Sequence, residues 1–187
     1  MITLNERSTK CVWEVDFAHS EVKFKVRHLV ISHVTGHFRK FNIKVDSSKE
    51  DFTDAKIYVE ADVNSVDTND SHRDRHLKSP DFFDAKTYPK IKFVSKSLTR
   101  ISENKYLLIG DITIRNNTRE ITLDVNYNGS AKSFGNIQVA VFEITGKLSR
   151  TDFDLKWNAL TEVGTVVAGD EVIIDITIEL KKHSIKT

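Results

Sequence analysis

Ala55-Lys56-Ile57-Tyr58-Val59-Glu60-Ala61-Asp62-Val63 is the stretch that decides the fold. Apolar residues fill every second position, and charged or amphipathic ones fill the gaps. Side chains alternate across a β-strand, so the segment reads as a strand with one buried and one wet face. The same period continues in both directions. Val22, Phe24 and Val26 alternate with Lys23, Lys25 and Arg27, and Phe41, Ile43 and Val45 with Asn42, Lys44 and Asp46. Downstream, Ile91 and Phe93 start a strand, and Leu108, Ile112 and Ile114 share one parity around Gly110. Ile121, Leu123, Val125 and Tyr127 follow, then Ile137, Val139 and Val141. Val172, Ile174, Ile176, Ile178 and Leu180 close the series. These are eight strong strands, with a ninth expected over Lys147–Leu155. A sheet this wide with one continuous apolar face curls and closes. Short links in chain order predict an up-and-down meander. Asn128-Gly129 reads as a tight hairpin turn, and Gly36 and Gly110 as bends.

One segment breaks the period. Ser71-His72-Arg73-Asp74-Arg75-His76-Leu77-Lys78 has helical spacing within a helical region read from Ser65 to Leu77, with Asn69 or Ser71 as its cap. It runs into Ser79-Pro80-Asp81-Phe82-Phe83-Asp84, an aromatic pair in a place that is polar by default. A capped barrel mouth is the expectation. Phe82 and Phe83 then either plug the end as plain core or line the mouth of a ligand cavity. Thr151 to Gly169 reads as a loop or a short strand pair.

Composition narrows the function. The chain has 187 residues, 28 basic and 27 acidic, for a net charge of +1, so nucleic acid is not expected as a partner. A single cysteine, Cys11, allows no disulfide within the chain. Residues 1–11 read as a flexible lead-in and 12–183 as one barrel domain. The polar start carries no signal-peptide pattern, which predicts a cytoplasmic protein, and no apolar run suits stable membrane insertion.

Seven histidines raise the question of a metal. His72 and His76, four apart on a helix, can share an ion, but a bare pair of this kind is a weak signal and reads as exposed or capping histidines. His33 and His37 have the same spacing with a turn-forming glycine between them. Arg73-Asp74-Arg75 can clamp a phosphate or form a self-paired solvated face. His28 extends the apolar face of Val22, Phe24 and Val26, as a hydrogen-bonded wall residue or a contact to a ligand. No nucleophile motif and no phosphate-binding loop is present, so no catalytic or metal-ligating residue is assigned.

The order of several motifs resembles the YceI-like family of lipocalin-like, polyisoprenoid-binding proteins of bacteria. The resemblance starts at Trp13-Glu14-Val15-Asp16 and His19-Ser20 and continues through Gly36-His37-Phe38. Its strongest block runs from Asp67-Thr68 to Tyr88-Pro89, followed by Gly110 to Arg115 and Arg150-Thr151-Asp152-Phe153. Two departures stand out. Asn116-Asn117-Thr118 replaces the family's usual Gly-Val-Thr, and Asp154 replaces a glycine. The resemblance implies an all-β, eight-stranded antiparallel lipocalin-like barrel with a helix or loop cap. It implies an apolar tunnel for an isoprenoid lipid, of the polyprenyl phosphate or isoprenoid quinone type, and homodimers in some members. No other cofactor is expected.

Strand parity and the cap together yield the expected ligand wall: Phe24, Val26, His28, Phe41, Ile57, Val59, Phe93, Ile112, Leu123, Ile174 and Ile176. Arg73, His76, Phe82 and Phe83 complete it at the mouth. The reading is a non-enzymatic lipid carrier or store. Two alternatives remain open: an enzyme acting on an isoprenoid or quinone-like substrate through His28 or His76, and a packed barrel that binds protein partners.

Overall fold

The computed structural model describes residues 11–160 and 167–184. In it the alternating segments become antiparallel strands: β1 (Cys11–Val15), β2 (Glu21–His28), β3 (Ser32–Phe38), β4 (Phe41–Ser47), β5 (Lys56–Asp62) and β6 (Val66–Asp67). They continue as β7 (Lys90–Arg100), β8 (Lys105–Ile114), β9 (Asn117–Lys132), β10 (Gln138–Ser149) and β11 (Ala168–Ser184), with one helix, α1 (Ser71–Lys78). Eight of them close into a barrel in the order β1-β4-β5-β7-β8-β9-β10-β11, and β11 returns to β1. The lead-in read for residues 1–11 lies outside the described residues except at Cys11, which already pairs within β1.

Closure depends on β11 serving two partners. Its last residues, Leu180 to Ser184, pair with β1, while Ala168 to Thr177 pair with β2. The strand that β1 and β2 would otherwise form is broken at Asp16. This carboxylate is buried, accepts from the Ala18 N–H at 3.1 Å, and meets His19 at 2.8 Å and Lys181 at 2.7 Å. The bonds to Lys181 and His19 hold its pKa at about 2, below the ordinary 3.8. Because the folded value is the depressed one, the stabilisation is complete above about pH 4 and fades as pH falls through about 2. Asp16→Asn is expected to cost about 1–2 kcal/mol at pH 7, discounted for the partly exposed lysine. Urea melts of both proteins at several pH values check this, and the gap should close toward pH 2.

One end of the barrel is sealed. Phe52, in the β4–β5 loop, turns into the barrel and is 2% exposed. Its ring meets Trp13 at 4.9 Å and Phe142 at 5.0 Å, and Tyr127 stacks on Phe142 at 5.1 Å. Asp54 fixes the loop by accepting from Ser47 Oγ at 2.6 Å and from the Ser48 N–H at 2.9 Å. Leu98, Tyr106 and Leu180 belong to the same buried core.

Several local expectations are corrected. Asn128-Gly129 is not a turn: β9 runs through it, and the register skips Asn128 between the pairs Phe142–Tyr127 and Val141–Gly129. Gly129 there takes φ +110°, a bulge conformation that glycine adopts without a Cβ clash. The reversal comes later, at Phe134–Asn136. The parity read for the next strand is also corrected: Val139 is buried as expected, but Ala140, Phe142, Ile144 and Leu148 pack on the core while Ile137 is exposed, because apolar residues occupy both faces from Val139 to Phe142 and alternation carries no signal there. Residues 147–155 do not form a ninth strand: β10 ends at Ser149 and a 3-10 turn follows over Arg150–Phe153. The loop reading of Thr151–Gly169 agrees through residue 160, and residues 161–166 lie outside the described part. A second register shift, between Ser95 and Ser97, adjoins Gly110, where a Cβ would lie 2.4 Å from the Phe93 ring. At Gly36 the register is unbroken, and the Phe24 ring occupies the Cβ position instead.

The two departures from the family pattern meet in space. Asp154 holds φ +59°, a conformation that aspartate tolerates better than most residues, and accepts from Asn117 Nδ2 at 3.3 Å. Arg115 donates to the Asp154 carbonyl at 3.1 Å. The two turns therefore keep their shape through side-chain bonds where glycines are usual.

Candidate functional site: a capped apolar cavity

The other end of the barrel carries the cap. Asp70, not Asn69 or Ser71, starts α1: its side chain accepts from the His72 and Arg73 N–H groups, each at 3.0 Å. Val66 and Asp67, expected within the helical region, instead form the short β6 against β3. Thr68 is the fixed point beneath the helix, at 4% exposure. Asp74 accepts from Thr68 Oγ1 at 2.6 Å and from its N–H at 2.9 Å. Arg73 donates through Nε to Thr68 Oγ1 at 2.8 Å and through Nη2 to the Thr68 carbonyl at 2.8 Å. Arg73 and Asp74 thus share Thr68, and the nearest carboxylate to the guanidinium is Asp70 at 3.9 Å. After the helix, the Phe83 N–H donates to the Leu77 carbonyl at 3.0 Å. This fold-back buries both Phe82 and Phe83. Phe83 meets Phe38 at 5.9 Å, and Phe82 meets Trp157 at 5.3 Å. His76 bonds Asp81 at 2.9 Å and stands edge-on to Trp157 at 4.7 Å.

Between plug and cap lies a cavity of about 670 Å³. That volume falls within the range of roughly 300–1,000 Å³ typical of small-molecule sites. Its wall includes Phe24, Val26, His28, Ile57, Val59, Phe93, Ile112, Leu123, Ile174 and Ile176, with Arg73, His76, Phe82 and Phe83 from the cap. Phe41 alone among the expected wall residues is not part of it. β1 pairs with β4 only as far as Lys44, and beyond that point Phe41 turns to Phe17, 5.5 Å away, in the turn after β1. The wall also holds residues that were not expected. Phe142, Ile144 and Leu148 lie on the face opposite to the one read from Ile137, Val139 and Val141, and Phe38, Phe52 and Trp157 stand in loops or at strand ends where period carries no signal.

Arg150 is the most informative of these additions. It lines the cavity and is 5% exposed. It donates to the carbonyls of Gly169 at 2.9 Å, Trp157 at 2.9 Å, Ala168 at 3.3 Å and Leu155. Burial lowers its pKa from the ordinary arginine value, with Asp170 opposing, yet a guanidinium stays charged. Among the described residues no carboxylate pairs with it, so its charge is spread over neutral acceptors. The ionisable groups of the wall are Lys23, Arg27, His28, His72, Arg73, His76, Lys92 and Arg150, with no acid among the described residues. The His28 ring is therefore one of several basic groups in the wall. Asp16, His19 and Glu179 also come together, but at the plugged half of the barrel, and Lys181 already occupies Asp16.

Fold and site define a class: an antiparallel eight-stranded barrel, plugged at one end and capped at the other, around an apolar cavity with a basic rim. The chain belongs to the YceI-like family, whose domain matches residues 13–180. It is 35% identical over 165 residues to the UPF0312 protein SERP2314 of Staphylococcus epidermidis, covering 88% of this chain and 94% of that one. Among solved structures, BcnA of Burkholderia cenocepacia superposes with a TM-score of 0.77 at 25% identity, over 89% of this chain and 99% of BcnA. A polyisoprenoid binding domain from Saccharophagus degradans superposes with a TM-score of 0.61 over 91% of this chain and 98% of its own; at 14% identity that likeness concerns the fold alone.

Proposed function

We propose that this protein binds an isoprenoid lipid without transforming it, holding the tail in the barrel and an acidic head group at the basic rim. The observation that carries this reading is the division of the cavity wall: aliphatic and aromatic along its length and, among the described residues, exclusively basic where it is ionisable. Each buried five-carbon unit contributes roughly 3–4 kcal/mol before ordering costs, so the tail supplies affinity with little sequence in the contact. The head supplies selectivity, because buried or half-buried arginines without full carboxylate partners favour an anion. Family membership and the fold shared with a polyisoprenoid binding domain support the same class of ligand. Of the two acidic and neutral candidates, polyprenyl phosphate fits this rim better than a quinone. Binding rather than catalysis suits His76, whose ring is already committed to Asp81 and packed between Phe82 and Trp157.

The test compares a polyprenyl phosphate with the free polyprenol of the same tail by quenching of tryptophan fluorescence. Wild-type protein is expected to prefer the phosphate. Arg73→Gln should weaken the phosphate by about tenfold and leave the alcohol nearly unchanged. Equal loss for both ligands would assign Arg73 to holding the cap on Thr68, and no preference in the wild type would remove the acidic head from the proposal.

A further inference from the structure

The β2–β3 hairpin reverses through Leu29, Val30 and Ile31, between the paired residues His28 and Ser32. Leu29 and Val30 have φ of +50° and +67°. That is the left-handed region, which a β-branched residue enters only at a steric cost. A turn selected for folding alone carries glycine or asparagine at such positions. Val30 is also 58% exposed and Ile31 88% exposed. The backbone disfavours Val30, and exposure to solvent disfavours both Val30 and Ile31.

The tip is part of the cavity rim. His28 and Val34, at its base, line the cavity together with Val167 and Ala168. The Leu29 N–H donates to the Val167 carbonyl at 3.0 Å, and the Val167 N–H to the Ala159 carbonyl at 3.0 Å. That ladder brings Leu160, 66% exposed, to the same rim. Two exposed arginines stand at this end: Arg27, whose cross-strand partner just below the tip is His33, and Arg75 on the open side of α1. Several described acids of this end are engaged. Asp70 caps α1, Asp81 holds His76, Asp154 holds Lys156, and Asp170 accepts from Ser149 and Thr151.

We propose that this rim docks on an anionic membrane surface, with Val30, Ile31 and Leu160 entering the interfacial layer and Arg27 and Arg75 meeting lipid phosphates. A few apolar side chains on a protruding tip bury too little for a stable protein interface, which needs about 1,200 Å² or more. They suit shallow insertion, and the surrounding cations suit anionic head groups. Docking in this orientation sets the cavity mouth against the bilayer. The proposal concerns the surface and holds whichever lipid the cavity takes.

Co-sedimentation tests it, with vesicles of equal parts phosphatidylcholine and phosphatidylglycerol beside vesicles of phosphatidylcholine alone. Wild-type protein should bind the mixed vesicles more strongly, and less so as salt is raised. V30G/I31S should lose about tenfold in partitioning. Its thermal midpoint should be no lower than wild type, because glycine relieves the strained φ at position 30. Arg27→Glu should weaken binding to the mixed vesicles and leave the neutral ones unchanged. Affinity for a polyprenyl phosphate in detergent solution should be equal in wild type and V30G/I31S; a parallel fall would make the tip part of the cavity and overturn the docking surface. The proposal also fails if wild-type protein stays in the supernatant, or if V30G/I31S sediments like wild type. A dimer that V30G/I31S dissociates, with vesicle binding unaltered, would make the tip a contact between two copies instead.

Discussion

Ile174→Trp and Val59→Trp should each reduce isoprenoid binding by about a hundredfold or more while the barrel stays folded. Ile174 lies midway along β11, paired with Phe24 of β2 on one side and Gly146 of β10 on the other. Val59 lies between Ile43 and Phe93 on the facing wall. Both side chains line the cavity. An indole at either place has room to enter, so the fold should lose no more than the roughly 1–3 kcal/mol of an overpacked site. The same ring occupies space a tail must cross. Titration with a fluorescent polyprenyl analogue, beside circular dichroism of each variant, separates blocked binding from unfolding. Full affinity in both variants would show that the tail does not run through the barrel.

Arg150→Met should be the most destabilising single change at the mouth, by about 3 kcal/mol. The guanidinium gathers four backbone carbonyls from Leu155, Trp157, Ala168 and Gly169. Removing it orphans buried acceptors, each costing about 1–3 kcal/mol unless water reaches it. Arg150→Lys keeps the charge but not the fork, so it should recover part of the stability and retain preference for an acidic head. Urea denaturation and a phosphate-versus-alcohol comparison on both variants check the two effects. A methionine variant as stable as wild type would mean that the carbonyls find other donors. Loss of stability with unchanged head preference would leave Arg150 as scaffold only.

The barrel was legible because strand period and burial agree over most of its length. Leu108, Ile112 and Ile114 share one parity in β8, Ile121, Leu123 and Val125 share one in β9, and all six are buried. The cap was legible because the charge-dense turn around Arg73 and the apolar pair Phe82-Phe83 interrupt that period. What escaped was set by contacts distant in sequence. Nothing local marks Asn128 as an extra residue in β9, and β10 is apolar on both faces from Val139 to Phe142, so alternation alone does not choose its inward face. Phe52 is a lone aromatic in the polar run 47–55, a signal of the same kind as Phe82 and Phe83 but weaker for being single. Phe41 kept its parity but lost its place, because β1 stops short of it. Arg150 belonged to a quoted motif, but its role arises only when β10 and β11 bring their flanking carbonyls around it.

The central claim is that the cavity holds an isoprenoid lipid by its tail. Its most direct test is native mass spectrometry of the protein purified without detergent, followed by organic extraction and identification of what is released. A bound species with the mass ladder of five-carbon units, lost in Ile174→Trp, is the expected result. Protein that emerges at its bare mass, and that remains so after incubation with polyprenyl phosphate and with an isoprenoid quinone, would contradict the account.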